Sequence, residues 1–340
     1  MSSPLSDLAI PVIAAPMAGG PTTPALVTAA AQAGGVGFLA AGYRTAEGFA
    51  EQIATVRATG VPFGVNLFAP NPVPVDAAEF RLYANTIRAD ADRYGIDLSG
   101  DPVENDDEWA AKIDVLLADP VPMASFTFGI PEPGVVAALR KAGTVVIQTV
   151  TSADEAKLAV DAGVDLLAVQ ASVAGGHSGT LTPSRVPPSI PLVDLVAQVR
   201  AAVPLPIVAA GGLSTSADIA AVLHAGAVAA VVGTVLLLTD ESGASAVHKA
   251  AIADPARTET VVTRAFTGRP ARGLRNHFID RYDAVAPAGY PALHYLTSPL
   301  RKAAAAAGDP ELVNLWAGTG HRHATAEPAA VVLTRLAAGL

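Results

Sequence analysis

Apolar residues along this chain fall into short continuous runs, each separated from the next by a longer stretch of mixed character. Continuous runs of five or six apolar residues are typical of strands that are buried on both faces, as in parallel sheets. Eight runs predict strands at about residues 11–15, 36–40, 62–67, 121–126, 144–149, 165–170, 206–210 and 228–233.

The same short motif, any residue followed by Ala-Gly, comes just before four of these runs. Its glycines are Gly34, Gly143, Gly163 and Gly226. Each is predicted just past the last turn of a helix, where the backbone needs left-handed angles. The stretches 152–155 (SADE) and 215–218 (TSAD) indicate helix starts, and the first is predicted to form a capping box between Ser152 and Glu155. Helix, glycine and buried strand in this order predict parallel βα units.

Eight such units predict an α/β fold, the (β/α)8 or TIM barrel, as a single domain over residues 1–340. Two segments are not needed to build the barrel. They are an insertion at about 70–120, between the third and fourth strands, and a helical C-terminal extension at about 240–320. Both are expected to be lids or appendages, and Tyr83, Tyr94 and Trp109 are predicted to pack the insertion onto the barrel. An open doubly wound sheet is the alternative fold. Its glycine motif would be GVGFLA at 35–40, but this stretch opens a strand and not a helix.

Composition narrows the class of protein. Hydrophobic residues make up 51% of the chain and charged residues 16%, so a large core is available. The absence of cysteine excludes disulfides, thiolate metal sites and cysteine nucleophiles, and no metal site is expected. A net charge of −9 without any Lys/Arg-rich run disfavours a nucleic-acid partner. The first basic residue is Arg44 and the longest apolar run, 225–238, is too short to span a membrane. We therefore expect a cytoplasmic protein without membrane contact, as a monomer or homodimer.

Glycines follow the last two predicted strands. The pair Gly211-Gly212 follows the seventh strand, and Gly233-Thr234 follows the eighth. In a barrel the active site lies beyond the C-terminal ends of the strands, and these two loops commonly bind phosphate through main-chain N–H groups and a helix N-terminus. The glycines in these two loops therefore predict a phosphate site, with tight turns of no further role as the alternative.

A histidine framed by glycines follows the sixth predicted strand, in the segment 174–179 (AGGHSG). Glycines on both sides allow unusual backbone angles and the close approach of a flat ligand. His177 can act as a general base or a hydrogen-bond donor at neutral pH. The alternative is a flexible loop with a solvent-facing histidine. The six other histidines are predicted to be structural.

Amide side chains stand at the ends of three predicted strands: Asn66, Gln148 and Gln170. They either cap the strands or recognise a heteroaromatic ring. The loop after the first strand, which contains Ala15, Met17 and Ala18, lies at the same end. A phosphate site, a planar ring over the barrel and amides at the ring edge together describe flavin mononucleotide (FMN).

Five stretches in this order carry a resemblance that covers about residues 10–320: 14–19 (AAPMAG), 64–66 (GVN), 174–179, 209–212 (AAGG) and 233–234 (GT). With them the chain resembles the nitronate monooxygenase family, formerly the 2-nitropropane dioxygenases, as does 265–272 (AFTGRPAR). The sequence departs from the family at Val173, where relatives often have an acid.

The resemblance implies an FMN-dependent oxidoreductase on a (β/α)8 barrel. It would oxidise alkyl nitronates, and nitroalkanes, with O2 to a carbonyl compound and nitrite. His177 matches the active-site histidine, which takes the α-proton or holds the nitro group. The residues expected at the cofactor are Ala15, Met17, Ala18, Asn66, Gln148, Gln170, Ala174, Gly175, Gly176, Gly211, Gly212, Gly233 and Thr234.

Three other functions stay open. The same barrel and glycine–histidine pattern occur in FMN-dependent NAD(P)H:quinone reductases and enoyl-acyl carrier protein reductases. A phosphosugar isomerase or aldolase is disfavoured because no lysine stands at the end of any predicted strand. A non-catalytic flavin carrier would leave the His177 loop without a purpose.

Overall fold

Eight parallel strands form a closed barrel in the computed structural model, which describes residue 5 and residues 8–340. A two-residue strand, β7, comes between the sixth and seventh barrel strands in the chain and belongs to a separate small sheet. The eight predicted strands are confirmed within two residues at each end. Their bounds, with β7, are β1 Val12–Ala14, β2 Val36–Ala40, β3 Phe63–Ala69, β4 Met123–Phe128, β5 Val145–Val150, β6 Leu166–Gln170, β7 Gly176–His177, β8 Ile207–Ala210 and β9 Ala229–Val232.

The barrel closes where β1 pairs with both β2 and β9, with Val12 opposite Ala230 in the second pair. Alternate strand residues point inward and form a small core that includes Phe38, Met123 and Ile147. The other face of each strand packs against the helices in a larger core. Side chains therefore fill the barrel interior below its mouth, as expected for strands with a period of two.

Eight helices surround the barrel, and the eighth is the last element of the chain. Helix α13 (Ala329–Leu336) contacts both α1 (Pro24–Gln32) and α9 (Ser216–His224), so it fills the gap between the first and last βα units. This barrel helix lies beyond the C-terminal extension predicted at about 240–320. The eight are α1 Pro24–Gln32, α2 Ala46–Arg57, α5 Trp109–Ala118, α6 Pro133–Lys141, α7 Ala153–Asp161, α8 Leu192–Ala202, α9 Ser216–His224 and α13 Ala329–Leu336.

Most of the predictions for the helix ends are confirmed. Gly34, Gly143, Gly163 and Gly226 all have positive φ, between +85° and +106°. Thr215 and Asp218 form a capping box at the start of α9. The predicted box at α7 is half wrong. Ser152 does cap the helix, but the Glu155 carboxylate accepts from Thr151 N and, at 2.7 Å, from Leu181 N. The Leu181 N–H in this loop needs an acceptor, and it takes the carboxylate that the capping box would have used.

The insertion and the segment after β9 share a second hydrophobic core above the barrel. Tyr83 is buried in it and donates to Ala265 O, while Tyr94 donates to Asp309 at 2.8 Å and Trp109 packs edge-on against Phe126. Trp109 thus packs the insertion onto the barrel, as predicted, whereas Tyr83 and Tyr94 attach it to the segment after β9. The predicted helical extension also contains a β-hairpin. The additional elements are α3 Ala77–Thr86, α4 Arg88–Asp92, α10 Ala246–Ala253, β10 Thr260–Thr263, β11 Ala271–Leu274, α11 His277–Tyr282 and α12 Ala292–Ala306.

Short 3-10 turns occupy residues 234–236, 283–285, 310–312 and 321–323. Among the helices of the described chain, none combines the length and the apolar composition that a membrane span requires.

Candidate functional site

A cavity of about 970 Å³ opens at the C-terminal ends of the barrel strands. The structure brings together there all but one of the residues predicted for the site. Those that line the cavity are Ala15, Met17, Ala18, Asn66, Gln170, Ala174, Gly175, Gly176, His177, Gly211, Gly212, Gly233 and Thr234.

Gln148 is the exception, and the structure corrects the prediction that it lies beside the cofactor. Its neighbours on β5, Ile147 and Thr149, line the cavity, so Gln148 points to the opposite face of the strand. The side chain is fully buried, and its Nε2 donates to Gly129 O at 3.0 Å. Periodicity within the strand excludes it from the site.

The glycine–histidine loop is held by the neighbouring backbone. Strand β7 pairs with β11, with His177 opposite Ala271. A Cβ on Gly175 would lie 2.5 Å from Gly318 N, so only glycine permits this approach of the two chain segments. Gln170 fixes the loop from β6, because its Nε2 donates to His177 O at 3.2 Å and its Oε1 accepts from Gly179 N at 2.7 Å. Its amide therefore positions the loop in addition to lining the cavity.

The His177 imidazole lies in an aromatic wall and is neutral. Its Nε2 is 2.9 Å from the Thr267 hydroxyl, and its ring centroid is 5.5 to 5.7 Å from the rings of Phe128, Tyr290 and Trp316. Burial, and then the charges of two nearby arginines, lower the pKa of His177 from 6.5 to about 3. At neutral pH the ring is therefore unprotonated.

The two arginines, Arg269 and Arg301, are buried beside the cavity. Neither has a carboxylate within 4 Å among the described residues. The Arg269 guanidinium carbon lies 4.0 Å from the Phe128 ring centroid, while Arg301 donates to His294 O and Asn314 Oδ1 at 2.9 Å each. Burial lowers the pKa of both guanidinium groups to about 10, so both stay charged at neutral pH. Uncompensated positive charge of this kind favours an anion in the cavity.

Sequence reasoning missed a second part of the wall, built from Tyr43 and His294. The two rings stack with centroids 4.1 Å apart, and the Tyr43 hydroxyl is 3.3 Å from the Tyr290 hydroxyl. Burial raises the pKa of Tyr43 to about 12 and holds the pKa of His294 well below its usual value. His294 and His248 both line the cavity, although the sequence predicts only structural roles for the other histidines. No glycine frame or strand end marks either residue.

The loops after β8 and β9 present main-chain N–H groups to the cavity. Gly212, Gly233 and Thr234 line it, and no described residue accepts a hydrogen bond from their N–H groups. Two N–H groups just before α9 already have a protein acceptor, because the Asp218 carboxylate accepts from Ser214 N at 3.0 Å and from Thr215 N at 2.8 Å. The N–H groups of Gly212, Gly233 and Thr234 remain for an anion, and the contribution of a helix N-terminus stays a prediction.

Comparisons with known proteins show the family of the chain. The model of the nitronate monooxygenase family matches residues 2–338. A probable nitronate monooxygenase of Staphylococcus aureus (strain Newman) is 35% identical over 331 residues, which cover 96% of this chain and 93% of that protein.

Solved structures show the same likeness over the whole fold. A nitroalkane oxidase from Streptomyces ansochromogenes superposes with a TM-score of 0.92 at 47% identity, covering 99% of this chain and 97% of that one. FabK from Thermotoga maritima is more distant, with a TM-score of 0.75 and 25% identity over 98% of this chain and 93% of that one. The barrel, its glycine–histidine loop and the match over nearly all residues lead to one assignment: the chain is an oxidoreductase that belongs to the nitronate monooxygenase family.

Proposed function

We propose that this protein uses FMN and O2 to oxidise alkyl nitronates, and nitroalkanes after loss of their α-proton, to a carbonyl compound and nitrite. The observation that carries the proposal is a neutral imidazole near two buried arginines, in a cavity also lined by two loops whose N–H groups have no described acceptor. In this reaction the nitronate carbon is oxidised, O2 is reduced, and the C–N bond breaks to release nitrite.

The residues at the barrel mouth fit FMN. The N–H groups of Gly212, Gly233 and Thr234 would bind its phosphate, since no described residue accepts a hydrogen bond from them. Asn66 would accept a hydrogen bond from the edge of the ring system. Its Nδ2 donates to Ser125 and Thr127, which leaves Oδ1 without a described donor at the cavity wall. The cofactor supplies the electron transfer between substrate and O2, and the chain supplies binding, orientation and charge.

The protein groups suit an anionic substrate and its neutral precursor. Arg269 and Arg301 stabilise negative charge, and a nitronate carries such a charge on its nitro oxygens. His177 is neutral, so it can accept the α-proton of a nitroalkane. The imidazolium that forms would lie beside a new anion, which raises the proton affinity of the ring at that moment.

Aromatic rings around His177 limit access of water to the reacting atoms. Phe128, Tyr290 and Trp316 surround the imidazole on three sides. A low-dielectric wall strengthens the interaction of an anion with the two arginines and with the imidazolium.

The visible absorption spectrum tests this proposal. The purified protein, or the protein with added FMN, is expected to show a bound oxidised flavin. Without O2, ethyl nitronate should bleach this spectrum while NADH should not. In air the same substrate should give nitrite and acetaldehyde in equal amounts. A colourless protein that takes up no added FMN would contradict the proposal.

The likeness to FabK favours one alternative, an NAD(P)H-dependent reductase on the same flavin barrel. The two functions differ in the electron donor. Rapid bleaching by NADH, with none by a nitronate, would establish the alternative and remove the proposed oxidation.

A further inference from the structure

The Thr267 hydroxyl lies between the His177 ring and the backbone of Arg269. Its Oγ1 is 2.9 Å from His177 Nε2, 3.3 Å from Arg269 O and 3.4 Å from Arg269 N. The residue is buried, and it approaches the imidazole from the segment after β10, ninety positions further along the chain. No family pattern considered above gives this threonine a role.

Hydrogen-bond accounting around this hydroxyl assigns the imidazole tautomer. Oγ1 has one proton to donate and two lone pairs to accept with. Arg269 O is an acceptor only, and no other described group donates to it, so the hydroxyl proton belongs there. Arg269 N is a donor and takes one lone pair. The remaining lone pair faces Nε2, which must then carry the proton of the neutral ring.

The opposite tautomer leaves a buried group without a partner. If the hydroxyl donated to Nε2, Arg269 O would lose its only described donor, and a buried carbonyl without a hydrogen bond destabilises the fold. In the favoured tautomer Nδ1 has a lone pair. Nδ1 has no described partner and is not a buried atom, and His177 lines the cavity, so this lone pair faces the cavity.

The Arg269 side chain fixes the segment that carries Thr267. Its guanidinium donates to Ser178 O and Thr180 O in the loop just after His177. Glu155 holds the same loop from the other side, accepting from Thr180 Oγ1 and Leu181 N at 2.7 Å each. The hydroxyl and the imidazole are thus attached to two segments that are bound to each other, which keeps their distance fixed.

We propose that Thr267 is a positioning residue that holds His177 as the Nε2–H tautomer, so that Nδ1 takes the α-proton of a neutral nitroalkane. The inference rests on the proposed function. In this step the Nδ1 lone pair forms the new N–H bond, the C–H bond breaks, and its electron pair stays on the nitronate. A substrate supplied as the nitronate has already lost this proton and needs no such base.

Comparing two substrate forms tests the role of Thr267. In Thr267→Val, which keeps the shape and removes the hydroxyl, we expect kcat/KM for nitroethane to fall about tenfold or more, since one hydrogen bond to the base is lost. For ethyl nitronate we expect a change of less than about threefold. Thr267→Ser, which keeps the hydroxyl, should restore the nitroethane rate. A merely structural role would lower both rates alike.

A matched control separates the hydroxyl at 267 from buried threonines in general. Thr263 is also buried, and its hydroxyl donates to Asp283 at 2.7 Å without contact to His177. Thr263→Val should leave the ratio of the nitroethane and nitronate rates unchanged. An equal change of this ratio in Thr263→Val and Thr267→Val would overturn the proposal.

Nitrogen NMR of histidine-labelled enzyme gives a readout that does not depend on turnover. The His177 signals, identified by their loss in His177→Gln, should show a protonated Nε2 and an unprotonated Nδ1. Thr267→Val should shift them towards the other tautomer, and Thr267→Ser should not. A protonated Nδ1 in the unaltered enzyme would overturn the inference. Because NMR reports the tautomer directly, this result is distinct from a failure of the enzyme to oxidise nitronates.

Discussion

At the scale of single residues, the chemistry of the site depends on how burial and neighbouring charge act on one imidazole. His177 is surrounded by aromatic rings and lies near two arginines that have no carboxylate within 4 Å among the described residues. Each of these features disfavours the imidazolium, so the resting ring is unprotonated. Under the proposed function, the same positive charges favour the nitronate anion, and the anion that forms beside the ring offsets the low proton affinity of the imidazole.

Replacing this base tests its role directly. In His177→Ala we expect kcat/KM for neutral nitroalkanes to fall by about 10²- to 10⁴-fold, the usual contribution of a general base. Oxidation of a nitronate supplied as the anion should fall much less. Steady-state rates of nitrite release with the two substrate forms measure the difference. Small and equal losses with both would show that His177 has no part in proton removal.

At the scale of elements, the insertion after β3 is attached to the loop after β2 through one short segment. Asp107 Oδ1 accepts from Tyr43 N at 2.9 Å, and its other oxygen is 2.7 Å from Lys112 Nζ. Glu108 accepts from Ala46 N at 2.7 Å, at the first turn of α2. Asp107 and Glu108 also line the cavity. These contacts fix the position of Tyr43, and thereby one side of the wall.

Removal of Lys112 is expected to loosen this attachment. Lys112 is 2% exposed, and Lys112→Met would leave the largely buried Asp107 carboxylate without its cation. Breaking one partner of such a pair costs about 3 kcal/mol of unfolding free energy. Urea unfolding followed by circular dichroism measures the loss. The double change Lys112→Met with Asp107→Asn removes the unpaired charge and should recover part of it; no recovery would contradict this account.

At the scale of the whole molecule, buried histidines make stability depend on pH. The pKa of His177 is lowered from 6.5 to about 3 and that of His248 to about 4, in both cases mainly by burial. Between these values and about 6.5 the unfolded chain binds protons that the folded chain does not. Their contribution to stability is therefore complete above about pH 6.5 and is lost as the pH falls below it.

This dependence is measurable in the urea midpoint. The midpoint should decrease as the pH is lowered from 7 to 5, before most carboxylates are protonated. In His248→Gln, which keeps an amide to donate to Trp316 O, the decrease should be smaller. A change with pH that is the same in the variant and in the unaltered protein would exclude His248 as a source.

The sequence by itself determined the barrel and much of the site. The buried strands, the left-handed glycines and the glycine–histidine loop are local features, because each depends on a few consecutive residues. All barrel strands are parallel, so their C-terminal ends lie together at the barrel mouth. Residues that directly follow the strands, such as Gly212 and His177, could therefore be placed at the cavity without any coordinates.

Tertiary structure alone decided which other side chains join them. Tyr43, Thr267, Tyr290 and His294 come from loops and from a segment far along the chain, and only packing of the second core brings them to His177. The direction of Gln148 likewise depends on which face of β5 turns inward. Contacts between distant segments and the facing of strand residues follow from how the whole chain packs, because no local pattern encodes the position of a remote neighbour.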